Sequence, residues 1–234
     1  MAVLGERYQV AWLAAITILV GAAAAFAFRP SNAGSAKLVF IYGGVTVALA
    51  VAGMIRAWRD GELLEWIKPA FGDFTSAFFA TVVLFAGSYA FAKYVVLAGD
   101  TRTGWLSHLY LQLGDPAVLR SKVTFVAIAI CVVAVAEEIL WRGLVTTLFA
   151  EIAGSRRAWI YAAVLYSLAH VPTMWMLADA QAGLNPLLVL GALACGIVWG
   201  VLARRNGRLV PGMISHVLFD WAVVMMFRFW GPSV

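Results

Sequence analysis

The chain has 234 residues, of which 63% are hydrophobic and 12% charged, and its mean hydropathy is +0.89. A soluble globular domain is about half apolar and about a quarter charged, so this composition excludes an ordinary cytosolic enzyme and points to lipid as the solvent. The formal charge of +5 does not indicate nucleic acid, because the basic residues stand singly or in pairs between apolar runs instead of clustering on one face.

Seven hydrophobic segments follow one another along the chain, at about 8–28, 38–57, 71–98, 123–150, 157–178, 184–203 and 209–229. Each is long enough to cross a bilayer core as a helix rising ~1.5 Å per residue. None shows the ten-residue alternation of barrel strands, and in lipid every backbone group must be satisfied internally. The fold class read from the sequence is therefore all-α: a polytopic transmembrane helical bundle of about seven to eight helices. Glu6 and Arg7 precede the first run, which is too long for a signal-peptide core and reads as a retained helix. The third and fourth runs exceed what a bilayer needs, and a short extra helix fits in the loop between them. The stretch from Trp58 to Lys68 mixes charges with Leu63, Leu64, Trp66 and Ile67; it reads as an interfacial amphipathic helix or as a solvated connection. No repeat, low-complexity tract or long linker divides the chain, so residues 1–234 form a single integral membrane domain. An N-terminus on the cytoplasmic side puts Arg56, Arg59, Lys68, Arg156, Arg157, Arg204, Arg205 and Arg208 inside, as the positive-inside rule favours.

Cys131 and Cys195 lie within apolar runs and act as small hydrophobes. Ala192, Gly196 and Gly200 recur four residues apart and allow close approach of a neighbouring helix. Pro172 is placed to kink the fifth segment, and Pro211 to open the seventh as a first-turn proline.

Ionisable groups at membrane depth are costly and mark function. Three segments carry them: Glu137-Glu138-Ile-Leu-Trp-Arg142 in the fourth, Tyr166-Ser-Leu-Ala-His170 in the fifth and His216-Val-Leu-Phe-Asp220 in the seventh. His108, the third histidine, falls in a loop. Glu138 and Arg142 share a helix face and can neutralise each other, whereas Glu137, turned by about 100°, is free to face another partner. Counted from the helix ends at ~1.5 Å per residue, Glu137, His170 and Asp220 lie roughly 18 to 20 Å deep and His216 about 12 Å, so all four can meet in one layer. Two carboxylates and two imidazoles around a water are the equipment of general acid/base hydrolysis. Glu137 would take a proton from water that His170 helps to orient, and His216 with Asp220 would stabilise the oxyanion.

These three motifs, in this order, resemble those of the CPBP family, the group of intramembrane proteases that includes CAAX proteases and bacteriocin-processing (Abi) proteins. The resemblance covers roughly residues 123–229. It implies a glutamate-dependent peptidase in which Glu137 and His170 activate water, His216 and Asp220 form the oxyanion site, and Glu138 and Arg142 hold the first motif in shape. Two positions depart from the pattern: the prenyl-protein members often carry Asn where this chain has Asp220, and Tyr166 stands in place of the usual Phe. An ionised Asp220 cannot donate to an oxyanion, so it either orients His216 or stays protonated.

Other chemistries leave weaker traces. Glu137, His170 and His216 have the composition of a catalytic zinc set, the alternative to a site without a cofactor, although no His-Glu-x-x-His is present. Ser215 and Ser167 are close to histidines in sequence but lack a Gly-x-Ser-x-Gly context and read as packing residues. No Gly-x-Gly-Asp accompanies Asp73, which argues against an aspartyl protease. A non-catalytic scaffold, an immunity protein or a transporter would use the same polar cluster differently. Thirteen Arg against four Lys, with abundant Ala and Gly, suit a GC-rich bacterium. The expected substrate is accordingly a bacterial membrane-anchored or lipid-proximal protein or peptide in the inner membrane, ahead of a prenylated Cys-a-a-X tail.

Overall fold

The computed structural model describes residues 2–96 and 99–232. It is a bundle of helices; among the described residues the β pairing is confined to an isolated bridge between Asp179 and Gly183. In chain order the helices are α1 (Ala2–Ala27), α2 (Val39–Arg59), α3 (Leu63–Ile67), α4 (Asp73–Tyr94), α5 (Thr103–Leu113), α6 (Pro116–Ser121), α7 (Val123–Ala153), α8 (Ser155–Ala169), α9 (Thr173–Met176), α10 (Leu187–Asn206) and α11 (Val210–Met226). Five of them, α1, α2, α4, α7 and α10, are long and apolar enough to cross a membrane, and α11 is a shorter apolar helix. The all-α bundle expected from composition is thus present, with α5 and α6 filling the connection where a short helix was anticipated. Residues 97 and 98, at the end of the third apolar run, lie outside the described residues, as does the side chain of Glu6.

Alternating passages leave polar groups at two ends. At one end Glu151 accepts from Gln9 and from Arg56, and Asp73 pairs with Arg208 at 2.8 Å. At the other, Gln112 donates to the Ala27 carbonyl, Asn185 to the Trp105 carbonyl, and Tyr110 to the Val223 carbonyl. Between these ends the chain buries one stripe per helix. On α1, Leu13, Ile16, Val20, Ala23, Ala24 and Ala27 face inward at three- and four-residue spacing, while Ile18 and Leu19 face outward. The outward apolar side chains find lipid, in which burial inside the bundle brings no hydrophobic gain, so close packing and polar contacts fix the arrangement.

Small residues supply that closeness. A Cβ at Gly196 of α10 would lie 3.1 Å from the Ala163 Cα of α8, and one at Gly200 would lie 3.2 Å from the Trp159 ring. The stripe of Ala192, Gly196 and Gly200 therefore does what its spacing suggests.

Three expectations are corrected. The fifth segment, 157–178, is not one helix: α8 ends at Ala169, His170 caps it, and α9 is a separate turn. Pro172 has no N–H and disfavours helical geometry at Val171, so it ends the helix where a kink was expected. Residues 58–68 do not form one amphipathic helix either. α2 continues to Arg59, Gly61 turns the chain at φ +78°, and α3 has five residues; Leu64 is exposed, but Trp66 docks inward against Gly143 and its carbonyl accepts from the Leu209 N–H at 2.9 Å. His108 belongs to α5, not to a loop, and faces Asp179 at 3.3 Å. Pro211, by contrast, sits in the first turn of α11 as its position predicts.

The α8/α10 contact gives a direct test. Gly196→Leu is expected to destabilise the detergent-solubilised protein by about 1–3 kcal/mol, the usual cost of overpacking. Gly191→Ala, on the same helix with nothing within 4 Å of the added carbon, should leave the thermal transition unchanged or slightly raised. Circular dichroism melting of both variants reads the difference.

Candidate active site

The fourth, fifth and seventh apolar segments bring their ionisable residues to one place. Glu137 is the last α-helical residue before a π-helical stretch, Glu138–Val145, that is buried throughout. A wider helical turn of this kind commonly marks a functional position. Glu137 is 4% exposed, Glu138 0%, Arg142 7%, His170 7% and His216 4%, so each polar atom must be paired inside the protein or remain at a cost.

The Glu137 carboxylate is gripped on both oxygens. Oε1 accepts from the Tyr42 hydroxyl, and Oε2 accepts from the Tyr166 hydroxyl at 2.7 Å. His216 Nε2 lies 3.5 Å from Oε2. Glu138 points away, as the turn between neighbours requires: its Oε1 meets Arg142 Nη1 at 3.1 Å and His216 Nδ1 at 3.0 Å. The expected intrahelical ion pair therefore forms, and it also anchors His216. With Nδ1 donating to Glu138, Nε2 of His216 is left facing Glu137 and the space beyond it. His170 is oriented in a similar way. Its Nδ1 lies 2.8 Å from the Tyr166 carbonyl and its Nε2 lies 3.2 Å from the Tyr42 hydroxyl.

Aromatic rings wall this layer. Trp199 stacks on His216 with centroids 3.8 Å apart, and Tyr166 meets His170 edge-on at 4.8 Å. The Arg142 guanidinium lies over the rings of Tyr166 and Trp199, at 4.8 and 5.1 Å, where the negative faces of the rings help hold a buried cation. Glu138 Oε2 has no hydrogen-bond partner among the described residues, and a Cβ at Gly212 would lie 2.6 Å from it. Gly212 thus leaves the room in which Glu138 sits.

Asp220 stands apart from the other three. It is the most open member, with its side chain 34% accessible, and its Oδ2 is 3.6 Å from His216 Nε2, beyond hydrogen-bond length. It borders the group and faces the same nitrogen of His216 as Glu137 does.

Two residues of this layer carry no motif. Tyr42 comes from α2, on a π-helical turn at Val39–Gly43, and Trp199 from α10. A hydroxyl-bearing side chain within the apolar run 38–57 was the one sequence sign of Tyr42; nothing in the spacing marked Trp199. Both serines are engaged elsewhere: Ser215 accepts from Trp199 Nε1 at 3.1 Å and Ser167 donates to the Val189 carbonyl. The residues of the alternative zinc set, Glu137, His170 and His216, are not placed together as a metal-holding group among the described residues. Nε2 of His170 faces the Tyr42 hydroxyl, and both Glu137 oxygens accept phenol protons.

Residues 119–222, which contain all three motifs, match the model of the family described as Rce1-like, type II CAAX prenyl endopeptidase. The CPBP resemblance read from the motifs is thereby borne out, and so is the reading of an enzyme, because the family is one of peptide hydrolases. No curated protein and no solved structure matches the chain. Tyr42 lies outside the matched residues, while Trp199 lies within them.

The buried ion pair yields an expected outcome. Arg142→Met leaves the Glu138 charge without its cation and should cost about 3–5 kcal/mol, whereas Arg142→Met combined with Glu138→Met should recover part of that loss. Unfolding titrations in mixed detergent micelles compare the two; equal losses would remove the pair from the account.

Proposed function

We propose that this protein is an intramembrane endopeptidase that hydrolyses a peptide bond of a membrane-anchored or lipid-proximal protein or peptide with water activated by Glu137 and His170. The observation that carries this reading is the buried Glu137 carboxylate with His216 3.5 Å away and His170 joined to it through the Tyr42 hydroxyl, the acid and the two histidines coming from three different helical segments. Lipid-buried carboxylates and imidazoles are expensive; an arrangement of this sort, in residues matched by a peptidase family, is best understood as a site for proton transfer.

In the proposed reaction Glu137 removes a proton from water as its oxygen attacks the scissile carbonyl. His216 is held through Nδ1 by Glu138, so its Nε2 is the group available to stabilise the developing oxyanion. Asp220, at the open edge 3.6 Å from that nitrogen, orients His216 or faces the incoming chain. Tyr166 positions Glu137, and Arg142 balances the charge of Glu138. No step calls on a metal or another cofactor.

The proposed substrate is a bacterial membrane protein or peptide cleaved near its anchored end, by sorting-signal removal or by a CAAX-like trimming. The proposed topology places the Arg56, Arg157 and Arg205 end of the bundle in the cytoplasm of a bacterial inner membrane, together with the N-terminus.

Glu137→Gln keeps the size of the side chain and removes the base. Hydrolysis should fall by about 10²–10⁴-fold, the usual contribution of a positioned general base, with expression unchanged. Mass spectrometry of membrane-protein termini from cells carrying the wild-type or the variant chain makes the comparison. Uncleaved substrates that accumulate in the variant support the proposal and identify the substrate class. Unchanged termini, with an effect seen only on deleting the whole protein, would mean a scaffold.

A further inference from the structure

Tyr42 lies between the two groups proposed to activate water, and the hydrogen-bond donors available there do not suffice for an arbitrary protonation state. The phenol has one proton and sits against two partners, Glu137 Oε1 and His170 Nε2. The other histidine nitrogen is committed. Nδ1 lies 2.8 Å from the Tyr166 carbonyl, which can only accept, so Nδ1 carries a hydrogen. A neutral His170 therefore presents a lone pair to Tyr42, and an ionised Glu137 presents another. With one phenol proton between them, that combination leaves one contact as two facing lone pairs among buried side chains.

Of the states that hold a single proton on the pair, two arrangements avoid this. In the first, Glu137 is ionised and accepts the phenol proton, while a protonated His170 donates from Nε2 to the phenol oxygen. In the second, Glu137 is a carboxylic acid donating to the phenol oxygen, and the phenol donates to a neutral His170. Both hold one proton on the Glu137/His170 pair, and they interconvert when each of two protons moves one step along the chain Glu137–Tyr42–His170.

We infer that Tyr42 is the proton relay that couples Glu137 to His170, so that the pair shares one proton through the phenol. The inference rests on the hydrolysis proposed above and assigns it a reset. Starting from ionised Glu137 and protonated His170, water gives its proton to Glu137 as its oxygen bonds to the carbonyl carbon. As the carbon–nitrogen bond breaks, His170 gives its Nε2 proton to the leaving nitrogen, producing an acid and an amine. The pair is then left with its proton on Glu137. Transfer of that proton to the phenol oxygen, and of the phenol proton to His170, restores the starting state without exchange with solvent. Tyr166 cannot replace Tyr42: its hydroxyl reaches Glu137, but it presents only its backbone carbonyl to His170. His216 faces Glu137 at 3.5 Å, and Asp220, Glu138 and Arg142 stand around it; none of these has a hydrogen bond to His170.

The test needs no substrate, which separates it from the fate of the peptidase reading. Full-length protein labelled with ¹⁵N-histidine is reconstituted in lipid nanodiscs at one fixed pH, and the Nε2 resonance of His170, identified by its loss in His170→Gln, is followed. In the wild-type background, Glu137→Gln should shift this resonance, because the amide cannot exchange a proton with the phenol. In a Tyr42→Phe background the same Glu137→Gln change should leave it in place. An equal shift with and without the phenol overturns the relay in favour of direct electrostatic coupling, and no shift in either background overturns it as well. If Tyr42→Phe does not fold, 3,5-difluorotyrosine at position 42 keeps the ring and makes the phenol more acidic. The His170 resonance must then move in the wild-type background and lose that response in Glu137→Gln; a resonance indifferent to fluorination overturns the proposal.

Discussion

Two adjacent carboxylates buried in the middle of a lipid-embedded bundle set the terms for the rest of this structure. Each ionised group at that depth must find charge or hydrogen-bond donors inside the protein, and neighbours on a helix point in directions about 100° apart. Glu138 takes the cationic side, with Arg142 and His216. Glu137 takes the phenolic side, with Tyr42 and Tyr166. The division is what makes the two chemically different: one is fixed in an ion pair, whereas the other is held by groups whose protons can move.

The surrounding helices can be understood from that division. α7 widens into a π-helical stretch directly after Glu137, α2 does so around Tyr42, and α11 does so after Asp220 at Ala222–Met226. Trp199 covers one face of His216, and Gly212 withholds a side chain where Glu138 needs space. Packing through Ala163 and Gly196 draws α8 and α10 together. These contacts are apolar or steric, yet their arrangement decides where the polar atoms meet.

Much of this was legible in the residues. Hydropathy gave the helical bundle, and the spacing of Glu138 with Arg142 gave their ion pair. Depth placed Glu137, His170 and Asp220 at one level and His216 about 12 Å in, close enough for all four to meet; in the structure His216 reaches Glu137, and Asp220 borders the group. What escaped was set by partners distant in sequence: Tyr42 is 95 residues from the glutamate it binds, and no local periodicity relates them. Trp199 lies on a helix whose pattern of small residues speaks only of packing. The end of α8 was misjudged for another reason. Apolar composition continues smoothly through His170, whereas the backbone answers to Pro172, which a hydropathy reading averages away.

That early ending bears on how water would reach the proposed hydrolytic site in lipid. α8 has 15 residues, or ~22 Å of helix at 1.5 Å per residue, against a hydrocarbon core of about 30 Å. A helix this short is accommodated by thinning of the bilayer, by snorkelling flanks or by association; thinning would draw the aqueous boundary towards the end of that helix, where His170 stands. With thinning, the hydrophobic mismatch of one helix would become a supply route, the membrane being shaped so that the second reactant of the proposed hydrolysis can arrive.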